Sequence, residues 1–190
     1  MVPLIVALKE YGKYLGIAGL EAVDIADPEA LLRRLSSEAR RSTVQVVDAR
    51  YIAGYRHLLF ATLGAVHAFS VGSNISQTMA MEILLYISGQ RQIQRAIELV
   101  GVRRASRDVG IVVVSQSRPK ALRALRLAQK LIGGRPNPEV IEIRSAAKEN
   151  LIRERFRVGE KEIRSKRGLS PAQALTEIII ERGALLPARA

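Results

Sequence analysis

The side chains that could do chemistry are few. His57 and His67 are the only histidines, and the chain has no cysteine. That excludes disulfides, thiolate metal sites and thiol catalysis, and two histidines are too few for most zinc constellations. There is no Gly-x-x-x-x-Gly-Lys-Ser/Thr phosphate loop, no Gly-x-Ser-x-Gly elbow, and neither the His-Arg-Asp nor the Asp-Phe-Gly of a kinase. Gly16-Ile-Ala-Gly19 lacks the rest of a dinucleotide fingerprint. Asp24 and Asp27 read as loop and cap residues. His67 lies on a long apolar helix with no acidic partner in prospect, so it reads as a hydrogen-bonded packing residue, and so does His57. A small enzyme using His67 and Arg91 on an anionic substrate is the catalytic alternative, and it lacks a third group. The expectation is a binding protein with no catalytic residue, metal or cofactor.

Three features suit binding. The first is a polar hinge, Ser88 to Ile93, with Arg91 at its centre and Asn74 across from it; its plainer reading is an inter-helix turn. The second is a basic face formed by Arg103, Arg104, Arg107, Arg123, Arg126 and Lys130; its plainer reading is a solvated surface. The third is the end of the chain, where Ile178, Ile179 and Ile180 are followed by Leu185 and Leu186. Neighbours on a helix point about 100° apart, so three adjacent isoleucines cannot all point inward. Either some meet a partner, or the helix has a wide core stripe.

The elements that must position these residues can be read in order. Val2 to Lys9 and Tyr14 to Val23 are β-rich runs around the Tyr11-Gly12-Lys13 turn, a hairpin. Asp27-Pro28 starts a helix with Ala30, Leu31 and Leu35 on its apolar face. Thr43 to Asp48 is a strand, and the long helix opens near Ala49, with Ile52, Leu59, Leu63 and Val66 at helical spacing and Gly72 as its stop. A second helix carries Met79, Ile83 and Leu84 to Gly89, with a strand competing over Ile83 to Ile87. A third has Ile93, Ala96, Ile97 and Val100 on one face. Asp108 to Gln116 is a strand apolar on both faces, hence central. Pro119 begins a helix with Leu122, Leu125 and Ile132 inward and Arg123, Arg126 and Lys130 outward. Val140 to Ile143 reads as a short strand and Ala146 to Phe156 as a helix. Residues 157–169 are a charged loop, Ser170-Pro171 opens a last helix through Glu181, and 184–190 form a tail. The whole of 1–190 is one α/β (α+β) domain: a mixed, largely antiparallel sheet that opens with a hairpin and is covered by helices.

Charge is unevenly spread. Residues 1–100 hold 10 basic and 9 acidic side chains, and residues 101–190 hold 20 and 9, for a net charge of +12. A basic second half suggests an anionic partner such as nucleic acid. The longest unbroken apolar piece, His57 to Phe69, is shorter than the roughly 20 residues a bilayer requires. The N-terminus has no secretory leader, so the cytoplasm is the expected compartment. Zero cysteine, three asparagines and many Arg, Glu, Ile and Val would suit a thermophile.

The stretch from Gly72 to Val102 also resembles the central motif of the kinase-binding subunit of the KEOPS complex. The matching residues are Gly72, Asn74 and Ile75, then Glu82 to Tyr86, the hinge Ser88 to Ile93, then Ala96, Ile97, Gly101 and Val102. Ser73 departs from the lysine common in archaeal-type members. The resemblance implies a non-catalytic subunit with two partners. One is the small atypical kinase of KEOPS, for which Ile178, Ile179, Ile180, Leu185 and Leu186 are the candidate contacts. The other is tRNA, bound by its single-stranded CCA end, with Asn74, Arg91, Arg103, Arg104, Arg123, Arg126 and Lys130 as candidates. Other KEOPS subunits would be met indirectly, and threonylcarbamoyl transfer to tRNA adenosine would be their work. A stand-alone basic RNA-binding protein is the alternative.

Overall fold

The computed structural model describes residues 4–187. The hairpin forms as expected: β1 (Leu4–Leu8) pairs antiparallel with β2 (Lys13–Glu21). Residues before Leu4, including the predicted strand start at Val2, lie outside the described residues. After α1 (Pro28–Glu38) and β3 (Thr43–Asp48) come three consecutive helices, α2 (Tyr55–Val71), α3 (Met79–Ser88) and α4 (Ile93–Val100). Then follow β4 (Val109–Ser115), α5 (Arg118–Ile132), the two-residue β5 (Arg135–Pro136), α6 (Ala146–Phe156), α7 (Glu160–Ser165) and α8 (Pro171–Ala184). The sheet order is β1-β2-β4-β3, with β5 on the end of β2, and every pairing is antiparallel.

β4 is central, as its two apolar faces require. Val109, Ile111 and Val113 pack under α1 and α5 with Leu35, Ala124 and Leu125. Val112 and Val114 face the opposite layer, with Leu58, Ile83, Leu85, Leu175 and Ile179. Helices therefore cover both faces. The caps at Asp27 and Ser170 work as read, each accepting a backbone N–H in the first turn, and Gly72 and Gly89 close α2 and α3 in left-handed conformation; Ser117, which the sequence reading did not single out, caps α5 one residue before Arg118.

Several expectations are corrected. The long helix starts at Tyr55, not Ala49; a 3₁₀ turn over Ala49–Tyr51 comes first, with Asp48 capping it, and Gly54 (φ 97°) breaks the backbone before α2. Ile52 is thus buried ahead of the helix. Ala30 is exposed. Val140 to Ile143 is not a strand: Pro138–Ile141 is a 3₁₀ turn whose cap, Asn137, accepts from the Glu139 N–H, and the strand pairing falls one turn earlier at Arg135–Pro136. The charged 157–169 stretch contains α7, because Ile163 is buried and Glu160 and Arg164 pair across one turn.

α8 also runs through Gly183 instead of stopping before it. A Cβ at Gly183 would sit 2.7 Å from the Tyr86 backbone carbonyl oxygen, so the missing side chain lets α8 lie against α3. Alanine is the better helix former by about 1 kcal/mol. Gly183→Ala is nevertheless expected to destabilise by about 2 kcal/mol net, because the clash is with backbone and the helix must shift. Urea unfolding of the variant checks this.

Candidate functional site

The hinge is braced from both sides. Gly89 (φ 62°) ends α3 with its N–H near the Leu85 and Tyr86 carbonyls, and the Gln90 N–H reaches Ser88 Oγ at 3.3 Å. Behind it, His57 is buried. The Ala53 N–H can only donate, so His57 Nδ1 accepts it (3.2 Å), and Nε2–H donates to the Ile87 carbonyl (2.8 Å). Burial pushes this imidazole down to about 4. The packing role expected for His57 is what the structure shows. His67 is exposed and 3.1 Å from the Tyr11 hydroxyl, so it is hydrogen-bonded without being buried.

Arg91 is exposed, and its Nη1 donates to the Leu186 carbonyl at 3.0 Å, tying the hinge to the end of α8. Asn74 is elsewhere. Its amide donates to the Ser76 carbonyl (2.9 Å) in the loop before α3. That loop is held by buried Glu82, which accepts from the Ile75 N–H, the Ser76 N–H and Ser76 Oγ. Asn74 and Arg91 therefore flank opposite ends of α3, about 15 Å apart along its axis at 1.5 Å per residue, and do not form one site.

The basic face divides in the same way. Arg123, Arg126 and Lys130 are exposed on α5, in the layer on the far side of the sheet from the hinge. Arg103 donates to the Glu98 carbonyl, Arg107 reaches Asp24 at 3.3 Å, and the Asp27 carboxyl, held below its usual value mainly by the Ala30 N–H, is lowered slightly further by Arg104. β4 separates Arg103, Arg104 and Arg107 from the α5 cations along the chain, and Arg104 and Arg107 sit beside the acidic segment that leads into α1.

What does gather at the hinge is a set of residues that sequence reading passed over. Ser88, Gly89 and Gln90 form one wall of a basin of about 830 Å³; Arg95 and Glu98 of α4, Arg155 and Arg157 at the end of α6, and Arg182 of α8 form the others. Arg155 stacks over Tyr51 (4.9 Å), and its Nε donates to the Leu99 carbonyl (3.2 Å), capping α4. Arg182 donates to the Phe156 carbonyl and pairs with Glu162 at 2.6 Å. The signal for Arg155, Arg157 and Arg182 was the positive charge of the second half, which names no geometry, and Arg95 lies outside that half.

On the other side of α8 is an apolar groove of about 320 Å³, lined by Phe60, Leu63 and His67 from α2 and by Ile180, Ala184 and Pro187. This corrects the list of apolar contacts. Ile178, Ile179 and Leu186 are buried in the core, so the wide-stripe reading holds for them. Ile180 is half-buried on the groove, and Leu185 is exposed. Phe60, 41 % exposed, belongs with them and was not foreseen. On α4 the expected single face splits: Ala96 and Val100 are buried, while Ile93 and Ile97 remain 44 % and 39 % exposed. Residues 188–190 of the tail lie outside the described residues.

An open apolar groove and an arginine-lined basin, placed back to back on one helix, define a scaffold with binding surfaces. Among the described residues no group of three or more His, Asp or Glu side chains is arranged to hold a metal, and no helix is long and apolar enough to cross a membrane. The chain belongs to the family of kinase-binding proteins CGI-121, whose family model matches residues 23–186. It is similar to the regulatory protein Cgi121 of Methanocaldococcus jannaschii, 32 % identical over 114 residues that span 60 % of this chain and 70 % of that protein. It is also similar to the KEOPS complex subunit Cgi121 of Pyrococcus abyssi, 40 % identical over 60 residues, 32 % of this chain and 33 % of that protein.

Proposed function

We propose that this chain is a non-catalytic, regulatory KEOPS subunit in the cytoplasm. It docks the small atypical kinase of the complex and helps present tRNA for threonylcarbamoyl modification by another subunit. The observation that carries the kinase half is the apolar groove between α2 and α8. Family membership supplies the partner, and Phe60, Ile180 and Leu185 supply apolar area that stays at least partly exposed, with Arg56 over the Phe60 ring. Residues of this kind form the centre of protein interfaces, where a few anchors carry most of the affinity. The RNA half is supported by the +12 charge and by the exposed hinge, where Arg91 can reach an unpaired base or phosphate.

The test is calorimetric titration of the kinase with a Phe60→Glu, Ile180→Glu double variant. Both side chains are at least partly exposed, so the variant is expected to stay folded by circular dichroism. Kinase binding is expected to weaken by about 2 kcal/mol or more, the hot-spot scale. Unchanged kinase affinity in a folded variant would take the groove out of the proposal. RNA binding that persists with no kinase binding in the wild type would favour the stand-alone reading.

A further inference from the structure

We propose that β1 is an open sheet edge through which two copies of this chain pair, strand to strand, about a two-fold axis at Val6. The pairing rests on neither partner named above.

The two edges of the sheet differ. β3 is buried over residues 44–48, and its Val47 is bridged by Gly101. β1, at the other end of the sheet, has no strand on its outer side among the described residues. Leu4 is 44 % exposed, Ala7 is exposed, and Ile5 and Val6 are half-buried. An open edge is commonly blocked by a lysine, a proline, an inward charge or a bulge. Leu4-Ile5-Val6-Ala7-Leu8 carries none of these, and its register with β2 runs unbroken from Leu4 opposite Ile17 to Leu8 opposite Lys13. The register also shows which backbone groups are free. Leu20 pairs with Val109 on one side and Pro136 on the other, so β5 lies on the β1 side of β2. There the Asn137 N–H donates to the Gly19 carbonyl at 2.9 Å. Backbone groups along a strand turn to alternate edges, so Ile17, Leu15 and Lys13, like Gly19, face β1. Their partners Leu4, Val6 and Leu8 are thereby bonded, and Ile5 and Ala7 turn their N–H and C=O groups outward.

Two outward residues flanking one inward residue make a self-complementary set. With the axis at Val6, Ile5 of each copy exchanges both hydrogen bonds with Ala7 of the other, and Leu4 faces Leu8. No residue of β1 is charged, so no like charges oppose one another across the pair. The two sheets then join into one, in the closed two-fold arrangement commonest among oligomers. The charge of +12 on each copy opposes association, and a five-residue edge is short, so the pairing belongs to the weak, concentration-dependent class. α3, which ends in the hinge, packs against β3 at the far edge, so a pair leaves both hinges open.

The chain has no cysteine, so a single one reports the register. About this axis Val6 opposes its own copy as a non-hydrogen-bonded pair, with Cα atoms about 4.5 Å apart, within the span of a disulfide. Leu4 is the more exposed, yet its two copies would lie roughly 14 Å apart, four residues along the strand. Under mild oxidation Val6→Cys is expected to form a covalent dimer at least about tenfold faster than Leu4→Cys, because pairing raises the local thiol concentration only at Val6. Exposure alone would reverse that order. Sedimentation equilibrium of the wild type at sub-millimolar concentration should show a dimer that strengthens with salt, as screening removes the repulsion. Ala7→Pro deletes an outward N–H that the β1–β2 ladder does not use, and edge strands tolerate proline there. It should raise the dimer dissociation constant at least about tenfold, the scale of the lost edge hydrogen bonds, with the melting temperature held. Ala7→Lys, at an exposed position, should weaken the dimer likewise by setting a charge on the edge. A wild type that stays monomeric in both low and high salt overturns the proposal. So do cysteine variants that cross-link at equal rates, or a dimer that neither Ala7 variant weakens.

Discussion

Glu82→Ala is expected to lower the unfolding free energy by about 4 kcal/mol. Glu82 is fully buried, no cation pairs with it among the described residues, and its carboxylate accepts from the Ile75 N–H (3.1 Å), the Ser76 N–H (2.7 Å) and Ser76 Oγ (2.8 Å). A hydrogen bond to a charged group contributes about 1.5–3 kcal/mol, and a buried donor left without an acceptor costs a further part of that. Three donors lose their acceptor at once. The loop is only half-buried, so water restores some of the loss, which is why the total is below the sum. For a chain of this length, each kcal/mol lowers the melting temperature by about 2–4 °C, so a drop of roughly 12 °C should appear in calorimetry. Glu82→Gln keeps one acceptor oxygen and should fall between the two. A loss under about 1 kcal/mol for the alanine variant would mean that the carboxylate does not organise the 72–78 loop.

Acidification from pH 6.5 to 4 is expected to remove about 3 kcal/mol through His57 alone. Burial is the main cause of its lowered pKa, nearby Lys148 lowers it further, and the hydrogen bond to Ile87 acts the other way. The folded value is about 4 against 6.5 for the free side chain. Between those values the unfolded chain binds the proton and the folded chain does not, so stability is complete above pH 6.5 and is lost as the pH falls towards 4. A shift of this size corresponds to about 3 kcal/mol at 1.36 kcal/mol per unit. Protonation would also set a second N–H against the Ala53 N–H. Glu160 and Glu162, whose carboxyls are held below 4.5 by arginine and backbone partners, lose their contributions at lower pH. Those losses begin as the pH falls to about 5, near the unfolded carboxyl value, so the window between pH 6.5 and about 5 isolates the histidine. Urea unfolding at several pH values, for the wild type and His57→Gln, should show a slope that the variant lacks. Equal slopes would assign the acid sensitivity elsewhere.

Much of the architecture is legible locally. The hairpin, the Asp27-Pro28 and Ser170-Pro171 helix starts, the glycine stops at 72 and 89 and the doubly apolar β4 each depend on neighbours within a few residues, and each appears in the fold. The errors fall where a local signal had a competitor. α7 was hidden because its charged residues resemble a loop, while a single buried side chain, Ile163, holds it. The Ile178-Ile179-Ile180 run showed that the three side chains cannot all point inward, but neither how many nor which lie outside; the packing of α8 on α2 and α3 leaves Ile180 on the groove.

By itself, the sequence determined the types and order of most elements, the excess of positive charge in the second half and the family motif. Periodicity, capping and composition are short-range properties, and they survive without coordinates. Only the tertiary structure decided which charges meet. Arg95, Arg155, Arg157 and Arg182 come from three helices and a helix end and converge on one basin. Arg91 finds its acceptor in Leu186, 95 residues away. Arg123, Arg126 and Lys130, grouped by sequence into one basic face with Arg103, Arg104 and Arg107, lie on α5, in the layer across the sheet from the hinge. A long-range contact depends on how helices pack across β4, and that is set by the fit of buried side chains and by the close approach Gly183 allows, not by the spacing of the charges themselves.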